Sequence, residues 1–259
     1  MTTRVKPKKN LGQHFLANDG IARRIADALL CEGGGPGRPM NTLEVGCGTG
    51  ALTRHLLERE DILLKGIEID GESIDYLREN LPAIMPNLYQ ADFLKSDLRK
   101  IFAEGEIAII GNFPYNISSQ IFFKVLDNKD IVPQVVGMLQ KEVAERLASG
   151  SGNKSYGILS VLLQAWYDIE YLFTVGENEF IPPPKVKSAV IRLRRNGRTE
   201  LGCDPVLFKQ VVKAAFGQRR KTMRNSLKTL TDSVPPQFAS LRPEQLGVED
   251  FILLTASLG

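Results

Sequence analysis

Short apolar runs and amphipathic segments alternate along the first two-thirds of the chain. Thr42–Val45, Ile62–Ile69, Leu88–Gln90, Ile107–Gly111 and Gln134–Leu139 are rich in aliphatic residues and read as strands. Ala51–Arg59, Glu72–Leu81 and a segment starting near Ser119 carry apolar residues at helical spacing. Ahead of them, Ile21, Ile25 and Leu29 repeat every four residues, which predicts a helix N-capped by Asp19 and ended by the Gly33–Pro39 stretch. Strands alternating with helices predict an α/β fold, a parallel sheet with helices on both faces. A polar loop at Ser149–Ser155 and a helix over Gly157–Trp166 come next. Asp168–Val175 and Lys187–Leu193 then read as an antiparallel pair at the sheet edge. Beyond Asn196-Gly197-Arg198, which has the composition of a linker, the pattern is helical only. It gives Leu207–Phe216, a basic helix near Arg219–Leu230, and a last helix near Val248–Leu258. The expected organisation is an α/β domain over 1–197, opened by a basic arm over 1–18, and a small all-helical domain over 198–259.

The apolar content of 43% and charged content of 24% are those of an ordinary soluble globular protein. No apolar run reaches the roughly 20 residues of a membrane span, and no apolar core follows the basic N-terminus, so neither a membrane segment nor a secretory signal is expected. Cys31, Cys47 and Cys203 are odd in number and far apart; they match neither a disulfide framework nor a zinc site and fit a reducing cytoplasm.

The formal net charge of +3 hides a strong segregation. Residues 1–18, 181–199 and 205–231 contain no acid, yet together hold 17 of the 33 lysines and arginines. A single basic run is usually a solvated face, but three acid-free runs are the footprint of a polyanion binder.

Two loops carry the chemistry. Glu44-Val45-Gly46-Cys47-Gly48-Thr49-Gly50 sits between a strand and a helix, where glycines let the backbone turn and approach a ligand. Its spacing is G-x-G-x-G, whereas a dinucleotide fingerprint reads G-x-G-x-x-G. Glu68, at the end of the next strand, can accept ribose hydroxyls, and Asp92, after the third strand, can accept from an adenine amine. The second loop is Asn112-Phe113-Pro114-Tyr115, directly after the Ile107–Gly111 strand. An amide, a proline and two rings suit a flat base with an exocyclic amine: rings to stack on, carbonyls to accept N–H bonds. A strand end with core aromatics is the plainer reading of any isolated aromatic–proline pair.

The E-x-G-x-G-x-G loop with Glu68 and Asp92 resembles a class I S-adenosylmethionine-dependent methyltransferase, and N-F-P-Y resembles the N/D/S-P-P-Y/F signature of amino-methyltransferases. Asn10–Leu16, Asn116–Ser119, Phe180–Val186 and Gln218–Leu227, taken in order with these loops, resemble the bacterial small-subunit rRNA adenine dimethyltransferases over nearly the whole chain. The resemblance implies a Rossmann-like class I methyltransferase sheet with a small helical C-terminal domain. It places the cofactor S-adenosylmethionine against His14, Leu16, Gly46, Glu68, Asp92 and Asn112. It implies that Asn112 and Pro114 accept from the adenine N6 amine, that Tyr115 stacks on the base, and that Phe180 closes the other face or plugs the core. Arg219, Arg220, Lys221, Arg224 and Lys228, lining one helix, would hold phosphates, with Arg4, Lys6, Lys8 and Lys9 reaching from the arm. The implied substrate is a pair of adjacent adenines near the 3′ end of 16S rRNA, within a 30S assembly particle. The enzyme is expected to be a cytoplasmic monomer with no metal.

Two positions depart from the usual family pattern: Phe113 stands for Leu and His14 for Asn. Rival readings are a 23S rRNA methyltransferase of the antibiotic-resistance type, a non-catalytic ribosome assembly factor and a nicotinamide-dependent oxidoreductase. Of the two histidines, His55 reads as a surface or packing residue.

Overall fold

The computed structural model describes residues 5–31 and 37–259. Arg4 of the arm and part of the Gly33–Pro39 stretch lie outside the described residues. In chain order the strands are β1 Phe15–Leu16, β2 Met40–Val45, β3 Ile62–Glu68, β4 Leu88–Gln90, β5 Ala108–Asn112, β6 Gln134–Gln140, β7 Tyr167–Val175, β8 Phe180–Ile181 and β9 Ser188–Arg195. Seven form one sheet in the order β4-β3-β2-β5-β6-β9-β7, and β1 pairs with β8 in a two-stranded sheet. The strands β4, β3, β2, β5 and β6 run parallel; β9 is antiparallel to β6 and has β7 beyond it at the edge.

Buried parallel strands must be apolar on both faces, and β5 follows that rule: Ala108, Ile109 and Ile110 are all fully enclosed. The helices between strands are α1 Asp19–Asp27, α2 Thr53–Leu57, α3 Gly71–Asn80, α4 Leu98–Ile101, α5 Ser118–Asp127, α6 Lys141–Ala148 and α7 Ile158–Gln164. The cap of α1 is Asn18 rather than Asp19: its side-chain oxygen accepts from the Ile21 N–H at 3.0 Å, and Asp19 is the first helical residue. That leaves Asp19 free to take the buried His55, whose Nε2 lies 2.8 Å from its carboxylate, so His55 is a packing residue. Helix α6 has no counterpart in the sequence reading. Val143, Ala144 and Leu147, buried at spacings of one and three, are the signal that identifies it.

The contact pattern divides the chain into two compact units. The first holds the described residues of Met1–Ala144 and Glu170–Arg194, and the second holds Glu145–Ile169 and Arg195–Gly259. Residues 145–169 therefore go with the C-terminal helices, whereas the sequence pattern groups them with the sheet. The reason is apolar packing: Val161, Leu162 and Leu163 of α7 are buried in the second unit with α8 Pro205–Gly217 and α11 Val248–Ala256. Tyr156 meets Phe216 edge-on there and Phe216 stacks on Phe251, with ring centroids 6.0 and 5.8 Å apart.

Helix α8 starts at a defined cap, Asp204 accepting from the Val206 N–H at 2.8 Å with Pro205 at the first position. The basic helix expected over Arg219–Leu230 does not form. Helix α8 stops at Gly217, Arg219–Lys221 lie in a turn, Thr222 is extended, and only α9 Met223–Ser226 is helical before α10 Pro236–Ala239. Three consecutive cations gain nothing from burial, while Met223 and Leu227 are both fully buried and pull one turn inward. Arg219, Arg220, Lys221, Arg224 and Lys228 are thus spread over a turn, a short helix and a second turn, not aligned on one helix.

Candidate active site

The strand order reverses between β2 and β5, and in open α/β sheets the crevice outside the carboxyl ends at that point takes the ligand. A cavity of about 280 Å³ lies there, lined by both loops, with His14, Leu16, Gly46, Glu68, Asp92 and Asn112 all in its wall.

The glycine loop is shaped by its backbone. Gly46, Gly48 and Gly50 have φ of 77°, 55° and 76°, in the left-handed region that favours glycine. A Cβ at Gly48 would come within 3.2 Å of the Phe15 ring, and one at Gly50 within 3.0 Å of Leu77. At Gly46 a Cβ would meet nothing within 4 Å, so the backbone there borders open cavity that a ligand can approach closely.

The Glu68 carboxylate clasps this loop. One oxygen accepts from the Gly48 N–H at 2.9 Å, and the other accepts from the N–H groups of Ile69 and Asp70 at 2.8 Å each. Its lone pairs toward the cavity remain available for hydroxyl donors. Burial holds its pKa above the usual carboxylate range despite these donors. Asp92 turns the chain at the next strand end by accepting from the Leu94 N–H at 2.9 Å, with Lys95 3.7 Å from its other oxygen.

Glu44, to which the sequence reading assigned no role, is the most unusual group. It is 1% exposed, lines the cavity, and its Oε2 has no hydrogen-bond partner. Burial, with the nearby Glu68 adding, pushes its pKa up to about 7. A buried carboxylate oxygen without a partner calls for a cation. S-Adenosylmethionine carries an ammonium, and the cavity wall also offers Glu68 and Asp92 as acceptors for hydroxyl and amine donors, so the residues present fit that group.

At the end of β5, the Asn112 side-chain Nδ2 donates to the His14 carbonyl at 2.9 Å. That commits the nitrogen and leaves Oδ1 as the group that can accept from an incoming amine. The Pro114 carbonyl accepts from the Ile117 N–H at 3.1 Å and keeps a second lone pair. Phe113 is fully buried and packs edge-on to Phe122, with centroids 5.9 Å apart. Tyr115 is anchored by a hydrogen bond between its hydroxyl and the buried Ser188 Oγ, and desolvation raises its pKa. The His14 ring stacks on Tyr115 at a centroid distance of 5.3 Å and an interplanar angle of 27°, its Nδ1 2.9 Å from the Pro182 carbonyl.

Two expectations change. Phe180 is 1% exposed, belongs to the apolar core with Leu16 and Val175, and is absent from the cavity wall. Leu16 pairs with Phe180 across β1 and β8, and the ring takes the second of its two expected roles, packed in the core and not at the cavity wall. Lys8 is not a free arm cation: its ammonium pairs with Asp70 and Glu72. In the second unit, Arg219 is tied to Glu244 at 3.8 Å, while Arg220, Lys221, Arg224 and Lys228 are exposed.

A methyl-transferring fold is what this sheet order and cofactor loop define, and comparison with known proteins narrows it. Residues 4–245 match the family described as ribosomal RNA adenine dimethylase. The chain is 58% identical over 255 residues to the ribosomal RNA small subunit methyltransferase A of Parabacteroides distasonis, covering 97% of this chain and 93% of the relative. It is 53% identical over 258 residues to the protein of the same name from Cytophaga hutchinsonii, covering 98% of each. Among solved structures it resembles a dimethyladenosine transferase from Plasmodium falciparum, with a TM-score of 0.74, 25% identity, and coverage of 93% of this chain and 96% of that one. It also resembles the 23S rRNA methyltransferase ErmE, with a TM-score of 0.68, 25% identity, and coverage of 93% and 99%. The fold is that of class I methyltransferases, and the protein is an rRNA methyltransferase that uses S-adenosylmethionine. The chain belongs to the ribosomal RNA adenine dimethylase family.

Proposed function

We propose that the protein dimethylates the N6 amines of two adjacent adenines near the 3′ end of 16S rRNA, acting as a monomer on a 30S assembly particle in the cytoplasm. The observation that carries the reading is the fixed Asn112 amide, its nitrogen held by His14 and its oxygen left for an amine donor beside the cofactor cavity. Small-subunit specificity draws support from the relatives at 51–58% identity, which bear that name. No helix among the described residues is long and apolar enough to cross a membrane.

When bound, S-adenosylmethionine supplies a methyl on a positively charged sulfur; transfer breaks that sulfur–carbon bond, returns its electron pair to sulfur and forms a carbon–nitrogen bond at N6. Glu44 would face the ammonium, Glu68 the ribose hydroxyls and Asp92 the adenine amine of the donor, with Gly46 giving the backbone room and His14 and Leu16 closing the wall. Asn112 Oδ1 and the Pro114 carbonyl would accept the two N6 hydrogens, drawing the nitrogen lone pair out of conjugation and toward the methyl. Tyr115 would hold the base by stacking, worth about 1–3 kcal/mol. No strong base or metal is required, because the methylated nitrogen is acidic and sheds its proton to water. The target adenine must leave its stack to enter. Arg219, Arg220, Lys221 and Arg224 would hold phosphates, which positions the RNA without reading its sequence.

Methyl incorporation from labelled cofactor into unmethylated small-subunit particles, set beside 23S rRNA, tests the assignment. Label in the small-subunit RNA alone is expected; label in 23S rRNA alone would overturn it.

A further inference from the structure

A second cavity, of about 830 Å³, adjoins the first and shares Gly12, Gln13, His14, Phe15 and Tyr115 with it. Its other walls are residues 5–7 and 9 of the arm, Gln140, and the loop over residues 181–186. Lys6, Lys9 and Lys185 line it, all three exposed, and no aspartate or glutamate among the described residues does. Ile181, Pro182 and Pro183 add exposed apolar surface to the same wall.

The arm is held in place as a wall. Gln13 accepts from the Lys8 backbone N–H at 2.8 Å and donates from its own side chain to Asp70 at 3.0 Å, and the Lys8 ammonium closes onto the same Asp70. Lys8 thus serves as a pin, and its neighbours Lys6 and Lys9 are left to face a ligand. Three cations without an acid, beside rigid apolar surface, make a site for an anion with flat uncharged parts. A groove of this kind takes single-stranded nucleic acid, phosphates on lysines and bases against rings. The volume falls within the roughly 300–1,000 Å³ of ordinary ligand pockets.

We propose that this second cavity binds the single-stranded nucleotides next to the target adenine in the same RNA strand. The inference rests on the adenine-methyltransferase reading above. A base delivered to Tyr115 brings its phosphodiester backbone with it, and that backbone must pass from the shared wall of the two cavities. Lys6, Lys9 and Lys185 would take its phosphates, and the Ile181–Pro183 surface would pack against a neighbouring base. Prolines offer no N–H donor on that wall, so packing of a base against it adds affinity rather than sequence preference.

The test is the full-length triple variant Lys6→Gln, Lys9→Gln, Lys185→Gln, compared with wild type on unmethylated small-subunit particles. The KM for RNA should rise about tenfold or more with a much smaller change in kcat. Cofactor affinity by calorimetry should be unchanged, which also reports that the variant is folded. The slope of log affinity against log salt for an adenine-containing single-stranded oligonucleotide should fall by about 2, the value for three phosphate contacts on a single strand. A photo-crosslinker on the nucleotide beside the target adenine should label residues 181–186. An unchanged KM and salt slope in a variant that binds cofactor normally would overturn the proposal, as would displacement of the oligonucleotide by none of its length variants but by an acidic peptide. If wild-type protein transfers no methyl at all, the parent reading falls, and the oligonucleotide comparison alone still decides the cavity.

Discussion

The Phe113 ring occupies the space a side chain at Gly137 would need: a Cβ there would stand 2.4 Å from the ring. Gly137 lies mid-strand in β6, opposite Gly111 of β5, and Phe113, the residue after β5, donates its N–H to the Met138 carbonyl at 2.9 Å. Phe113 stands where the family pattern given above has Leu, and Gly137 gives the larger ring its room beside the Asn112 amide.

Gly137→Ala should therefore cost about 1–3 kcal/mol by overpacking a fully buried site. The smaller side chain of Phe113→Leu should recover most of that loss in the double variant. Thermal melts of the four proteins measure the coupling, and additive losses would disprove the contact.

Glu44 gives a pH dependence of defined sign. Its carboxyl is lifted by burial from 4.5 to about 7, so the folded protein keeps a proton that the unfolded chain has lost between those values. Stability of the ligand-free protein should accordingly fall as pH rises from about 4.5 to 7, by roughly 3 kcal/mol at most. Glu44→Gln should flatten that part of the profile, raise Tm above pH 7, and weaken S-adenosylmethionine binding, read by melts and calorimetry.

The Arg59–Asp61 pair works in the opposite direction. Arg59 donates to the Ala26 and Leu29 carbonyls at 2.7 and 2.9 Å, capping the end of α1, and to Asp61 at 2.7 Å. The Arg59 guanidinium holds Asp61 down to about 2, so its contribution is complete above the ordinary 3.8 and is lost as pH falls through about 2. Asp61→Asn should lower Tm at pH 7 and leave little difference from wild type near pH 2.

Tyr115 contributes a ring face and a hydroxyl, and two variants separate them. Tyr115→Phe keeps the face and loses only the Ser188 bond, so methyl transfer should fall a few-fold. Tyr115→Ala removes stacking worth about 1–3 kcal/mol and should cost roughly 5- to 150-fold in kcat/KM for RNA. Equal losses in the two variants would place the role in the hydroxyl.

What was legible in the chain was local. The glycine loop, β5 and the Asn112–Tyr115 turn are written in adjacent residues whose spacing a strand or turn imposes. The position of Phe180 was not, because its burial depends on pairing with Leu16, far away in sequence, and no local pattern separates an inward ring from an outward one. The same holds for Ser188 under Tyr115 and for Lys8 on Asp70, two contacts set by tertiary placement alone. The basic run at Arg219–Lys228 misled for another reason: its charges suggested one continuous face, whereas burial of Met223 and Leu227 broke it into turns. Residues 145–169 carry an apolar helical pattern that fits either unit, and packing decides between them.

The most direct test of the catalytic account is Asn112→Ala, assayed with S-adenosylmethionine on small-subunit particles lacking the adenine methylations, with products mapped by mass spectrometry. Removing one preorganised acceptor should lower transfer by about 10²–10³-fold. Particle binding should be kept, and wild-type protein should place two methyls on each of two adjacent adenines. Dimethylation by Asn112→Ala at the wild-type rate would contradict the role given to its amide oxygen.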